Sequence, residues 1–337
     1  MAVPVGSKML MVQGVEPNEG LVNLTGGTFD TSSTSMVNAG QVVGHGILRT
    51  GGLSNEGSVT LTGGATTVNG NVVNEATGQF EVAYDPAVFT GYVENYGTFK
   101  VTDTTVVFAG GGTVTGLGGV IGGTGTITGG LVNALGTVAP GNSAGTLSID
   151  GDFSQSGGGT LAVELADADL ADLLAIDGTA TLDGTLEVLL LGGYAPVPGQ
   201  EWMILSAVGG ISGSFAGVTP GYQVSLASGN TELLLSVPLI PGDFDGNGIV
   251  DRDDLAVFLG AFGTTNPGLT DMNLDGDCDR NDLAVFLGIY GTGAGTGEET
   301  PEPASAALVS VGLLLALSRR RYRKAVSAKN GGQLPWA

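Results

Sequence analysis

The feature that most constrains the fold of this chain is a short repeat in its N-terminal part. Each copy has an asparagine, then a glycine, then a strand-like run; the copies begin at Asn38, Asn55, Asn74, Asn95 and Asn133. The first four asparagines are 17, 19 and 21 residues apart. Repeats of about 20 residues are typical of solenoid proteins, in which each repeat packs against its neighbours. We therefore expect a mainly β fold, a Gly/Asn-rich right-handed parallel β-solenoid with its asparagines stacked along one corner.

Alternating sequence runs in this region also indicate β-strands. Apolar and polar residues alternate, as they do in strands with one buried face, most clearly over 58–61, 79–82, 98–101 and 125–128. Before residue 250 the only helical pattern is a weak one over 161–175. The alternative to a solenoid is an antiparallel sandwich, whose hairpins would give a similar spacing.

The pattern changes from about residue 137. An Ala-Pro-Gly-Asn-Ser turn at 139–143 is followed by short Leu- and Val-rich runs. This order resembles the C-terminal part of autotransporter-type passenger β-helices. The resemblance implies a surface-exposed β-helix with a cap near 190–238. We divide this part of the chain into solenoid repeats, 1–145, and a passenger-like β region with its cap, 146–238.

Two acidic loops near the C-terminus carry the spacing of EF-hand-type calcium loops. Oxygen side chains occupy loop positions 1, 3, 5, 9 and 12, and glycine occupies position 6, where the loop must turn sharply. The first loop supplies Asp243, Asp245, Asn247, Asp251 and Asp254, and the second supplies Asp271, Asn273, Asp275, Asp279 and Asp282. The backbone carbonyls of Ile249 and Asp277 are expected to complete the ligands at position 7. We therefore expect two Ca²⁺ sites.

A nearly identical helical segment follows each loop, and the second loop starts 28 residues after the first, at Asp271 against Asp243. Helical periodicity places four apolar residues of each segment on one face: Leu255, Phe258, Leu259 and Phe262 in the first, and Leu283, Phe286, Leu287 and Tyr290 in the second. This duplicated loop–helix unit, 242–292, resembles a type I dockerin module, the Ca²⁺-dependent partner of cohesin domains. The resemblance implies a small α module whose loop positions 10 and 11 help to recognise cohesin; here these are Arg252, Asp253, Arg280 and Asn281. Two alternatives remain: acidic loops without metal, or structural calcium sites without a partner.

The C-terminus carries a three-part pattern. Pro301, Glu302 and Pro303 precede an apolar run over 304–317, and a basic cluster containing Arg319, Arg320 and Arg321 follows. This pattern, 301–324, resembles the PEP-CTERM sorting signal of bacterial surface proteins. The resemblance implies an exosortase-like sorting enzyme and at least transient membrane contact through a hydrophobic helix. The run is shorter than the ~20 residues that span a bilayer comfortably. A Gly/Thr linker, 293–300, separates it from the calcium loops.

The strongly negative charge of the chain favours an extracellular location and argues against nucleic acid as a partner. The formal net charge is −22, and six of the 11 basic residues lie within 319–329. A strongly acidic surface repels nucleic acid. Residues 1–20 contain Lys8 and no continuous apolar core, so they are not a secretory signal. We expect an exported protein whose natural start lies upstream of this sequence.

The sequence offers only weak candidates for catalytic residues. The chain has one histidine, His45, which sits between glycines, and one cysteine, Cys278, which we expect to pack as a small apolar side chain. Four aspartates that are close together in the sequence are expected to lie in a solvated strand edge or loop: Asp167, Asp169, Asp172 and Asp177. We therefore predict a non-catalytic surface or extracellular scaffold or adhesin-like protein that docks a cohesin-type partner. The alternative is a carbohydrate-active or polysaccharide-binding protein of the β-helix class.

Overall fold

The structure is a computed structural model that describes residues 1–13, 17–111, 113–265 and 268–292. The predicted linker 293–300 and the predicted sorting segment 301–324, with Pro301, Glu302, Pro303 and the three arginines from Arg319 to Arg321, lie outside the described residues. The chain forms two compact units, Met1–Pro238 and Leu239–Ala337. The first unit contains all of the described strands, and the second contains the described α-helices.

The strands of the first unit are short and follow one another closely. In the first half of the unit they are β1 (Ala2–Pro4), β2 (Lys8–Leu10), β3 (Leu21–Asp30), β4 (Ser35–Asn38), β5 (Gln41–Arg49), β6 (Gly52–Asn55), β7 (Ser58–Asn69), β8 (Val72–Asn74), β9 (Gln79–Ala83), β10 (Ala87–Phe89), β11 (Val93–Asn95), β12 (Thr98–Thr102), β13 (Thr105–Phe108) and β14 (Thr113–Thr115). In the second half they are β15 (Val120–Gly123), β16 (Thr126–Thr128), β17 (Leu131–Asn133), β18 (Thr137–Pro140), β19 (Thr146–Asp150), β20 (Phe153–Gln155), β21 (Thr160–Leu165), β22 (Leu173–Ile176), β23 (Ala180–Leu182), β24 (Thr185–Leu190), β25 (Glu201–Ala207), β26 (Ile211–Gly213), β27 (Gly217–Val218), β28 (Gln223–Ala227) and β29 (Glu232–Ser236).

These strands form a β-solenoid of about nine turns. Each turn contributes one strand to a nine-stranded sheet and one bent strand or two short strands to a larger sheet. Strands of successive turns pair in parallel from β3 to β27, for example β9 with β12 and β12 with β15. Parallel pairing excludes the antiparallel sandwich. The stack continues through residue 145, and the weak helical pattern over 161–175 is wrong because β21 and β22 lie there.

An antiparallel pair of strands covers the C-terminal turn of the solenoid. Strand β29 pairs with β25 on one side and with β28 on the other, both antiparallel. Trp202 of β25 is almost fully buried, and its indole N–H donates to the carbonyl of Asp167 at 3.0 Å. This arrangement closes the hydrophobic core within the region where a cap was expected.

The core consists of columns of inward-facing side chains, and each column runs through successive turns of the solenoid. Because the strands pair in register, an inward residue of one turn lies on an inward residue of the next: Phe80 aligns with Phe99, and Phe99 aligns with Ile121. The rings of Phe80 and Phe99 stack with centroids 5.0 Å apart and are both buried. Burying such a side chain contributes about 1.5–3 kcal/mol, so the columns supply the main stabilisation of each turn.

The expected asparagine ladder lies along one corner of this core. Asn38, Asn55, Asn74 and Asn95 are fully buried, and the side-chain amide of each of the first three donates to the side-chain oxygen of the next asparagine at 2.7–2.8 Å. The amides also donate to backbone carbonyls; that of Asn74 reaches Thr98 at 3.0 Å. The ladder therefore satisfies the polar groups of the corner that the turns remove from water.

The sequence pattern missed three positions of this corner. Asn18 precedes the ladder and donates to Asn38 at 2.6 Å, and Gln155 extends it by accepting from Asn133 at 3.1 Å. Between Asn95 and Asn133 the ladder is interrupted by Thr115, whose buried hydroxyl is without a hydrogen-bond partner in the described structure. A threonine side chain is too short to bridge two turns, so the corner consists of two separate ladders.

We expect Asn74→Ala to destabilise the solenoid by about 3 kcal/mol, because it leaves several buried polar groups without partners. Asn71→Ala is the matched control: Asn71 is half-buried, and its side chain accepts one long hydrogen bond, from the N–H of Tyr92 at 3.3 Å. Chemical denaturation followed by circular dichroism measures both variants. Equal losses of unfolding free energy in the two variants would contradict a stabilising role for the ladder.

Candidate functional site

The two acidic loops lead into two short helices of the same form. Helix α1 spans Arg252–Ala261 and helix α2 spans Arg280–Ile289, as the sequence pattern predicts. Asp251 and Asp279 cap their N-termini, and each takes part in a reciprocal capping box with the aspartate three residues later. Carboxylates near the N-terminus also oppose the partial positive charge of the helix dipole. The two loop–helix repeats therefore hold their acidic groups in the same local geometry.

The first aspartate of each loop organises the turn. The carboxylate of Asp243 accepts N–H groups from Gly246 at 2.9 Å and from Gly248 at 2.8 Å, and that of Asp271 accepts the N–H of Gly276 at 2.8 Å. Gly248 and Gly276, at position 6, have φ values of 89° and 94°. That backbone conformation favours glycine, which explains the glycine at this position of each loop.

The last aspartate of each loop joins its two ends. Asp254 and Asp282 are fully buried. One oxygen of Asp254 accepts the N–H of Phe244 and the other accepts the N–H of Asp251, both bonds being under 3 Å. Asp282 binds the second loop in the same way. Burial raises the pKa of Asp282, but the N–H groups that it accepts outweigh burial and hold that pKa below its usual value.

Three carboxylates converge in each loop. Carboxylate oxygens of Asp243, Asp245 and Asp254 lie within 4.8 Å of one another, and the same holds for Asp271, Asp275 and Asp282. Loop positions 1, 3, 5 and 12 hold three carboxylates and one asparagine in each loop, and all three carboxylates belong to the group. The pKa of Asp245 is raised by burial and by the negative charges of Asp254 and Asp243, against a hydrogen bond from the N–H of Asn247.

The other predicted ligands lie around these groups. The side-chain oxygens of Asn247 and Asn273 accept backbone N–H groups two residues further on, at 2.8 and 2.9 Å. Asp251 and Asp279 cap the helices, while Ile249 and Asp277 are exposed in their loops. An all-oxygen donor set of this kind suits a hard cation such as Ca²⁺. The predicted ligands therefore form two oxygen-rich loops, each with three side chains already together.

The hydrophobic core of this unit confirms part of the predicted helix face. Leu255, Phe258, Leu283 and Phe286 are buried, together with Val250 and Cys278. Leu259 and Leu287, which the sequence pattern places on the same helical face, lie at its edge and are 39% and 40% exposed. Val257 and Val285, at equivalent positions, are exposed as well. Each helix therefore presents an apolar pair that the sequence pattern did not identify.

Backbone hydrogen bonds interlock the two halves of the unit. Val250 in the first loop donates to Thr292 at 2.8 Å and accepts from Gly291, just after α2. Cys278 in the second loop pairs in the same way with Thr264 and Gly263, just after α1. Each loop is thus fixed to the segment that follows the helix of the other repeat. Burial raises the pKa of the Cys278 thiol, and the residue packs as the small apolar side chain that was expected.

The predicted partner-binding residues lie at the exposed starts of the helices. Arg252 and Asp253 form the first turn of α1, and the guanidinium of Arg252 is 3.6 Å from the Asp253 carboxylate with both side chains well exposed. Arg280 and Asn281 occupy the same exposed positions of α2. Residues three or four apart share a helix face, so the exposed valines lie one turn after Asp253 and Asn281.

The titratable groups of the solenoid differ from the sequence-based expectation at Asp172. It was expected to be solvated but is only 1% exposed. Its two oxygens accept the N–H groups of Gly145 at 2.8 Å and Glu164 at 2.9 Å. Burial raises the pKa of Asp172 to about 7, against the lowering effect of these hydrogen bonds. His45 lies in a bulge of β5, where its ring occupies the space that a side chain at Gly64 would need.

Comparisons with known proteins give a partial match. No protein-family model matches the chain. A curated relative is the adhesin BmaC autotransporter of Brucella suis biovar 1 (strain 1330), which is 43% identical over 70 residues. The match covers 19% of this chain and 2% of that protein, so the chain spans a small part of the length of the relative. This similarity and the β-solenoid are compatible with a surface adhesin-like protein.

We expect Asp172 to make the stability of the solenoid fall between about pH 4 and pH 7. Its folded-state pKa lies above its unfolded value, so its contribution is full below the unfolded pKa and is lost as pH rises through about 7. The change is on the order of 4 kcal/mol, because each unit of the pKa difference corresponds to about 1.4 kcal/mol. Asp172→Asn should remove this component of the pH dependence, measured by denaturation at several pH values.

Asp152→Asn is the control for this experiment. Hydrogen bonds from the N–H and hydroxyl of Thr179 lower the pKa of Asp152. Asp152 therefore remains ionised above pH 5 in both the folded and unfolded states, and its substitution should leave the slope between pH 5 and 8 as in the parent chain. If Asp172→Asn retains the full slope in this range, the buried carboxyl is not its source.

Proposed function

We propose that this chain is an exported, non-catalytic scaffold or adhesin-like protein of a bacterial cell surface or extracellular matrix. The partial similarity to an autotransporter adhesin and the regular β-solenoid support this proposal. A solenoid gains length by adding turns, and each turn is stabilised mainly by its neighbours. Such a fold suits a stalk that holds other segments away from the surface.

The second unit is proposed to bind two Ca²⁺ ions through its duplicated loops. The observation that carries this proposal is the repeated convergence of three carboxylates within 4.8 Å in loops of the same backbone geometry. Asp243, Asp245 and Asp254 would hold one ion, and Asp271, Asp275 and Asp282 the other, with the remaining predicted ligands closing each site. A bound cation supplies positive charge that offsets the mutual repulsion of these carboxylates.

The same unit is proposed to act as a dockerin-like module that binds a cohesin-type domain. Arg252 and Asp253 on α1, and Arg280 and Asn281 on α2, would form the polar part of the contact surface. The exposed valine and leucine side chains of each helix would supply its apolar part, since buried apolar groups at an interface contribute most of the binding energy. Because the two helices present equivalent residues, each has the groups needed to contact the same partner.

The C-terminal segment is proposed to direct the chain to the cell envelope. In this proposal an exosortase-like enzyme recognises Pro301, Glu302 and Pro303, and the arginines from Arg319 to Arg321 stay on the cytoplasmic side by the positive-inside rule. These residues lie outside the described part of the structure. Within the described part, neither helix has the length and apolar character needed to cross a membrane.

Calcium titration of the whole chain tests the metal sites. We expect calorimetry to give two sites and to find that Ca²⁺ stabilises the second unit by about 2.7 kcal/mol at a hundredfold excess over Kd. Asp243→Ala combined with Asp271→Ala should abolish this effect, because both loops lose their organising carboxylate. Asp253→Ala, which removes an exposed acid outside the two groups, is the control. Unchanged calcium dependence in the double variant would refute the proposed sites.

Binding to an immobilised type I cohesin domain tests the partner. We expect retention in Ca²⁺ and release in chelator. Val257→Lys combined with Val285→Lys should reduce affinity by at least about tenfold, since it places charges in the apolar part of both surfaces. Thr60→Lys in the solenoid adds a charge outside the module and serves as control. Calcium binding without retention would leave the loops as structural calcium sites and reject the cohesin partner.

A further inference from the structure

A cleft on the outer face of the solenoid has no role in the calcium module or the sorting segment. It crosses the aligned strands β12, β15, β18 and β21 and has a volume of about 240 Å³. Lys100, Gly122 and Ala139 are aligned in the outward row of successive strands. Ala162, one residue past the Val138–Leu161 pair, lines the same cleft and is aligned with Glu187 of the next strand. Three consecutive small residues between longer ones leave a flat apolar floor.

The wall of this cleft is a loop, 140–145, that the buried Asp172 holds in place. Asp172 fixes the end of the loop by accepting the N–H of Gly145, and the N–H of Gly141 donates to Gly123 of the preceding turn at 2.9 Å. Ser143, which lines the cleft, has a φ of 79°, a left-handed conformation that is uncommon for serine. Strained residues persist where the surroundings fix them, and they cluster at binding sites.

The polar groups of the cleft include both donors and acceptors. The ammonium group of Lys100 donates to the side-chain oxygen of Asn142 at 2.7 Å, and Glu164 also lines the cleft. Lys8 and Arg49 both pair with Asp30, but Lys100 has no salt bridge within the described part of the chain. Lys100 therefore retains donor protons that face a neutral amide and are free for a ligand.

We propose that this cleft binds one ring of a neutral glycan. A sugar ring has an apolar face of C–H groups that matches the floor of small residues, and hydroxyls that both donate and accept, as the lining groups do. The volume lies just below the ~300 Å³ at which pockets for drug-sized ligands begin, which suits a single ring. An acidic sugar would meet the carboxylate of Glu164 and the field of a chain with a net charge of −22.

Saturation-transfer NMR on the whole chain in chelator tests the proposal without involving the calcium loops. The probes are glucose, galactose, mannose and N-acetylglucosamine, with galacturonate as the acidic comparison. We expect transfer to at least one neutral sugar with a Kd of about 1 mM, as is usual for so small a ligand. Ala139→Leu, which fills the floor, should weaken binding at least about tenfold. Thr60→Leu changes the same outward row two turns before Lys100 and should leave binding unchanged.

Three results would overturn the proposal. They are no transfer to any of the four neutral sugars, unchanged transfer in Ala139→Leu, and tighter binding of galacturonate than of every neutral sugar. Lys100→Met provides a second variant, because its side chain is half-exposed and its loss should not unfold the solenoid. It should also weaken binding, and retained affinity in this variant would remove Lys100 from the site. Circular dichroism checks that each variant keeps its strand content.

Discussion

In-register pairing between successive turns is the interaction on which the solenoid depends. Each strand donates and accepts backbone hydrogen bonds with the turn before and the turn after, so inward side chains must fall on inward side chains. The phenylalanine columns and the asparagine ladder follow from this single constraint. A shift of one residue would move apolar side chains to the surface, which explains why the register is kept although the turn length varies, from 17 residues between Asn38 and Asn55 to 31 between Leu174 and Leu205.

In the second unit, buried carboxylates hold the backbone of each loop in place by accepting its N–H groups. Asp254 and Asp282 satisfy N–H groups at both ends of their loops and are themselves enclosed by the module. Their neighbours bring further negative charge into the same small volume. This concentration of acidic groups is the physical basis of the proposed coupling between Ca²⁺ binding and stability, because a cation relieves a repulsion that the loop geometry itself creates.

Sequence analysis identified most of the solenoid corner but not its break. Asn38, Asn55, Asn74, Asn95 and Asn133 occupy the predicted ladder positions. Thr115 was missed because a threonine lacks the amide that made the repeat visible. The loop positions were predicted from spacing, and the structure brings together three of the predicted side chains in each loop. The exposure of Leu259 and Leu287 was not predicted, since helical periodicity gives a face and its width depends on what packs against it.

The sequence by itself determined the parts of this protein that depend on near neighbours along the chain. Alternation of apolar and polar residues selects strands, and loop spacing places oxygen atoms on one side of a tight turn. Only the tertiary structure decided the features that require distant residues to meet. The burial of Asp172 and the cleft beside Lys100 exist because residues from separate turns, more than 40 positions apart for Lys100 and Asn142, are stacked together. No local pattern encodes that proximity.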